Sequence, residues 1–209
     1  MTQVSLYFGQ KKQGNNIYHY ITTPKHKRLI IVKDFYNTPF QYEVTMPSLL
    51  WKIIEYPVYH NPNFKHVFPS HMFALKSTNL GSRLYVFSVP NIHLNGAVCN
   101  SPQSRENKIN SKLSLSNKIN ISVAQFFDTP FNKDYGPFME HAYKSNSYID
   151  CFALWEKSFE NYPWQTHYSQ INPQYYNLPF YYERTKTIKE YLAKEQITPD
   201  IVPLQNKIG

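Results

Sequence analysis

Cys99 and Cys151 are the only thiols among 209 residues, and a thiolate is the side chain best suited to carry an acyl group. It attacks carbonyl carbon readily, and the thioester that results keeps its transfer potential toward an amine. Cys99 closes the segment Pro90-Asn91-Ile92-His93-Leu94-Asn95-Gly96-Ala97-Val98-Cys99. Asn91 lies eight residues earlier. Asn95-Gly96 is a pair tolerant of positive φ, which lets the chain turn and present Cys99 on an edge. His93 has an unperturbed pKa near neutrality, yet an exposed or packing role is the simpler assignment. The plain alternative for Cys99 is a small buried hydrophobe, and Cys151, with no such neighbours, is assigned to packing.

Other groups of ionisable residues carry less. His60, His66 and His71 fall close together but lack a tight His-x-x-x-His spacing or a carboxylate partner, so they read as packing or surface residues. Asp128, Asp134 and Glu140 flank a turn-forming stretch and suit capping better than paired acid–base work. Two cysteines make neither a disulfide framework nor a clustered zinc site, which fits a reducing compartment and a cytoplasmic protein. No metal and no cofactor is expected. The N-terminal residues lack a basic segment followed by a long apolar run, and nowhere do about 18 apolar residues run together, so neither an export signal nor a membrane span is expected.

The elements that must position Cys99 are mainly strands. Residues 4–8 and 17–22 read as a hairpin joined by the polar stretch 9–16. Residues 29–32 and 41–45 are two further short runs, and 47–54 suits either a buried strand or the start of a helix. The proline- and aromatic-rich residues 56–69 read as an ordered irregular loop. Residues 71–76 and 83–88 then pair as a hairpin across Gly81-Ser82 and deliver the chain to Pro90. Residues 100–120, dominated by Ser, Asn and Lys, read as an exposed insertion, with order resuming at 121–127. Residues 148–159 and 183–196 carry helix-compatible apolar spacing.

Proline nine and asparagine eight residues ahead of a cysteine, with glycine three ahead, resemble the active-site segment of ubiquitin-conjugating (E2) enzymes. Pro47-Ser48-Leu49-Leu50-Trp51, Met72-Phe73-Ala74-Leu75-Lys76, Leu84-Tyr85, Gly96-Ala97-Val98-Cys99 and Phe126-Phe127 narrow this to a resemblance to the prokaryotic E2-like family typified by PRTRC system protein B, over residues 47–131. Val89 stands where the eukaryotic enzymes usually have histidine, and Asn100 follows the cysteine without the common Leu-Asp. The resemblance implies an α+β fold, an antiparallel sheet meander with helices packed on one face. It implies an E2-like domain over residues 1–165, followed by a connector and C-terminal helix over 166–209. In function it implies a carrier that takes a ubiquitin-like modifier from an E1-like activating enzyme as a Cys99 thioester and passes it to an amine. In that scheme Asn91 supports the oxyanion or the loop, and Pro90, Asn95 and Gly96 are structural.

Two rival readings come from other classes. One is a catalytically silent E2-like scaffold subunit of a plasmid, phage or defence complex. The other is a basic nucleic-acid-associated protein, admitted by 22 Lys and Arg against 14 Asp and Glu, a net charge of +8, and by 18 Tyr and 14 Phe. The scatter of the lysines along the chain disfavours the latter, and no membrane partner is expected.

Overall fold

The computed structural model describes residues 4–33, 39–75, 77–86, 92, 96–99, 108–129 and 186–206. Its frame is one antiparallel sheet. Strands β1 (Leu6–Gln13) and β2 (Asn16–Thr23) form the expected hairpin, but they extend through the polar stretch to a tight turn at Gly14. Gln and Lys occupy that part of β1 because it is the outer arm of the hairpin, where polar side chains meet water. β2 pairs with β5 (Ser48–Pro57), β5 with β6 (Phe64–Leu75), and β6 with β7 (Leu84–Val86). The chain thus meanders in the order β7-β6-β5-β2-β1, with β9 (Val202–Pro203) closing the far edge beside β1. Strands β3 (His26–Lys33) and β4 (Pro39–Met46) leave the meander as a separate two-stranded ribbon.

The ambiguous segment 47–54 is strand, and the expected irregular loop at 56–69 is corrected to a hairpin. β5 runs to Pro57, β6 starts at Phe64, and only residues 58–63 turn. Prolines usually exclude central strand, but here Pro57 ends its strand and Pro69 sits beside a register shift, where a missing N–H costs little. His60, at φ 65°, takes the left-handed position in the turn.

The expectation of an exposed polar insertion over 100–120 is also corrected for the part that is described. β8 (Lys108–Asn110) pairs with the start of β6, and helix α1 (Leu115–Asp128) follows directly. Ser114 caps α1, its hydroxyl accepting from the Asn117 N–H at 3.3 Å. Leu115, Ile119, Val123, Phe126 and Phe127 recur at helical spacing and are buried, so one apolar stripe holds a helix whose other positions, Ile121 and Ala124 apart, are polar.

Residues 186–206 complete the fold. Helix α2 (Ile188–Lys194) opens on a capping box, in which Thr187 accepts from the Glu190 N–H and Glu190 accepts from the Thr187 N–H. The helix expected in 183–196 is therefore present as this shorter element. The two helices do not share a face of the sheet as expected, because adjacent residues of β5 point to opposite sides. Trp51 meets Phe126 and Phe127 of α1 edge-to-face, with ring centroids 5.6 and 5.7 Å away. Leu50 belongs to the other core, with Phe8, Tyr20, Leu75, Leu84, Ile188 and Leu192. The expected helix at 148–159 lies outside the described residues. No helix among the described residues is long and apolar enough to cross a membrane.

Candidate functional site

Cys99 lies at the edge of β6. The outer side of that strand is covered in turn by β7 at its C-terminal end, by the Cys99 segment at its middle, and by β8 at its start. Ala97 bridges His71: the Met72 N–H donates to the Gly96 carbonyl at 2.8 Å, and the Val98 N–H donates to the Ser70 carbonyl at 2.9 Å. Val98 in turn bridges Ile92, which is buried, so the segment before Cys99 folds back on itself against the sheet. Burial alternates along it: Gly96 and Val98 are buried, Ala97 and Cys99 half-buried. The thiol-bearing residue is on the more open side.

Gly96 shows why this turn needs glycine. Its φ is +84°, and a Cβ at this position would stand 2.4 Å from Cε1 of Phe73. Both the backbone conformation and the close approach of the ring exclude a side chain. The positive φ read from Asn95-Gly96 is thus found at the glycine. Pro90, Asn91, His93 and Asn95 lie outside the described residues, as do Cys151, Asp134 and Glu140. Asp128 is an exposed partner of Arg28, at 3.3 Å. The three neighbouring histidines separate: His60 caps an exposed turn against Tyr59, His66 packs on Tyr56 with centroids 4.7 Å apart, and His71 faces the Cys99 segment.

A row of polar residues, unmarked by any motif, crosses the sheet to this edge. Tyr20 pairs with Lys52, Lys52 with His71, and His71 with Ala97. Glu195, at the end of α2, closes over the row, accepting from Lys52 Nζ and from the Tyr20 hydroxyl, each at 2.8 Å. Burial alone would raise the Glu195 carboxyl, but these two donors outweigh it and hold it below the usual range. Burial and the Glu195 carboxylate push the Tyr20 hydroxyl up, so it remains a donor. Lys52 also lies over the Tyr18 ring, 5.0 Å from its centroid. Burial first, then the Lys52 charge, lowers His71 to about 4, with Glu195 only partly offsetting them. His71 is therefore neutral at physiological pH.

A second polar group lies buried on the α1 side, away from this row. Glu55 is 3.5 Å from His19 Nε2 and 3.4 Å from Lys118 Nζ, and the Tyr7 hydroxyl is 3.5 Å from His19 Nδ1. Its members lie between sheet and helix and fasten α1. Among the described residues no three of His, Cys, Asp and Glu gather as they do around a metal ion. No family model, curated protein or solved structure matches the chain.

Proposed function

We propose that this protein is an E2-like carrier that accepts a ubiquitin-like modifier as a thioester on Cys99 and passes it to an amine. One observation carries the reading: the half-buried Cys99 stands beside the outer edge of β6 in an antiparallel meander, its approach fixed by a glycine that tolerates no side chain. An acyl carrier needs a thiol that is held in place yet reachable by two macromolecular partners, and an edge position meets both needs. ATP is consumed by the activating enzyme in this scheme, so the carrier itself needs no cofactor.

Incubation with an E1-like activating enzyme, its modifier and ATP should give an adduct that a reducing thiol cleaves. Cys99→Ser should abolish it or convert it to a thiol-resistant ester, and Cys151→Ser should leave it intact. A Cys99→Ser protein that still forms a thiol-labile adduct would remove Cys99 from the role and favour a silent scaffold of the same fold.

A further inference from the structure

A neutral imidazole, His71, lies opposite the Cys99 segment, and its tautomer follows from the hydrogen bonds around it. The register shift between β5 and β6 leaves Ser70 as the extra residue, since Lys52 pairs with His71 and Ile53 with Pro69. Such a bulge re-aims its side chains. The Ser70 hydroxyl donates its single proton to the Lys52 carbonyl at 3.0 Å. It is also 3.3 Å from His71 Nδ1. With its proton committed, Ser70 Oγ can only accept there, so Nδ1 carries the imidazole proton and Nε2 keeps its lone pair. The ring is steadied by stacking on Phe73, 21° from parallel.

The pairing puts the His71 side chain on the same face of the sheet edge as Cys99. His71 and Ala97 lie opposite each other between two flanking hydrogen bonds, the antiparallel arrangement in which side chains approach most closely. Cys99 is the next residue on the same face of its segment, the diagonal neighbour that a long or aromatic side chain spans in an antiparallel pair. The alternating burial of residues 96–99 agrees with that assignment.

We propose that His71 accepts the Cys99 thiol proton through Nε2 as the sulfur attacks an acyl donor, with Ser70 and the Lys52 carbonyl fixing the tautomer. The inference rests on Cys99 being the acyl carrier. In the step, the sulfur–hydrogen bond breaks and its proton moves to Nε2, while the Cys99 sulfur bonds the donor's carbonyl carbon. The donor's carbon–sulfur bond then breaks, and the departing thiolate takes the proton from the imidazolium. Nothing is oxidised or reduced. The groups facing His71 are Lys52 from β5 and Glu195 from α2, with Tyr20 and Tyr191 beside them. Because burial and Lys52 keep the ring neutral, the proton moves during attack and no thiolate–imidazolium pair exists beforehand.

The test uses the full chain carrying Cys151→Ser and a small acyl donor, the phenyl thioester of acetylglycine, with thiophenol release followed from pH 6 to 9.5. His71→Gln should slow acyl transfer to Cys99 by about tenfold or more at pH 7. The deficit should vanish above the thiol pKa, where thiolate forms without help. Ser70→Ala keeps the imidazole but frees its tautomer, and should show the same pH pattern with a smaller loss. Equal rates for His71→Gln and its parent, or one loss factor at every pH, would overturn the proposal, as would a parent whose Cys99 does not react. If His71→Gln fails to fold, an unchanged Ser70→Ala profile overturns it. The assay needs no activating enzyme: absence of a modifier adduct defeats the carrier function alone, and a flat His71→Gln comparison defeats only this inference.

Discussion

At the scale of single residues, Gly96 separates two costs that usually come together. An alanine there would suffer both a positive φ and a collision with the Phe73 ring, whereas an alanine at Gly14, φ +60°, would meet open space. Gly14→Ala should therefore cost about 1–2 kcal/mol of stability, the left-handed penalty alone. Gly96→Ala should cost more, and adding Phe73→Leu should return only the steric part, as read from urea unfolding midpoints. Equal losses at the two glycines would show that the ring yields freely. The positive φ of Gly96 was legible in the sequence because Asn95-Gly96 is a local signal. His71 was not, because its importance comes from a bulge and a cross-strand pairing that connect residues 52, 70, 71 and 97 through space. In sequence it looked like one of three clustered histidines. Asn91, the other half of the motif, is outside the described residues, so its part in transfer remains with the proposal.

At the scale of elements, α1 is tied to the sheet by charge as well as by its apolar stripe. Burial pushes the Glu55 carboxyl up, but His19 and Lys118 overcome this and hold it below its ordinary value. A carboxylate whose folded pKa is depressed adds stability that is present above the unfolded value and lost as pH falls through the folded one. Thermal stability should consequently decline as pH drops below about 4.5, the ordinary glutamate value. Glu55→Gln should flatten that decline while lowering stability at pH 7 by about 3–5 kcal/mol, since Lys118 would stay buried without its counter-charge. A variant with unchanged stability at pH 7 would mean that water already reaches the pair. The stripe of α1 was present in the sequence at positions 115, 119, 123, 126 and 127, yet the surrounding Ser, Asn and Lys made its first turns, up to residue 120, read as insertion. Composition averages over a helix's two faces; burial depends on only one of them. The 56–69 hairpin was hidden differently, by prolines that a strand end and a bulge accommodate.

At the scale of the whole molecule, the chain's last described residues hold its first strands in place. The Asp200 N–H donates to the Phe8 carbonyl at 3.0 Å, and the Leu204 N–H donates to the Ser5 carbonyl at 2.9 Å. β9 extends that contact along Leu6 and Tyr7. Ile188 and Leu192 fill the core made by Phe8, Tyr20, Leu50, Leu75 and Leu84, all of them buried. Glu195 binds Lys52 and Tyr20 from the same element. Two antiparallel hairpins were foreseeable from strand-like runs and their turns, but no pattern in residues 186–206 announces that this segment covers a second face of the sheet. That follows only from Leu50 and Trp51 pointing to opposite sides, each needing its own apolar cover. Two consequences can be measured. Leu192→Ala removes a fully buried side chain and should cost about 2–5 kcal/mol. A chain ending at residue 185 loses α2, β9 and the Glu195 carboxylate together, which uncovers Phe8, Tyr20 and Leu50 and leaves Lys52 without its ion pair. That chain should lose its cooperative thermal transition and bind a hydrophobic dye. Adding residues 186–209 back as a separate peptide should restore the transition, because the lost contacts are noncovalent and are all made by that one segment. If the shortened chain melts as sharply and at the same temperature as the parent, the meander and α1 are sufficient alone, and α2 serves the Cys99 edge without supporting the fold.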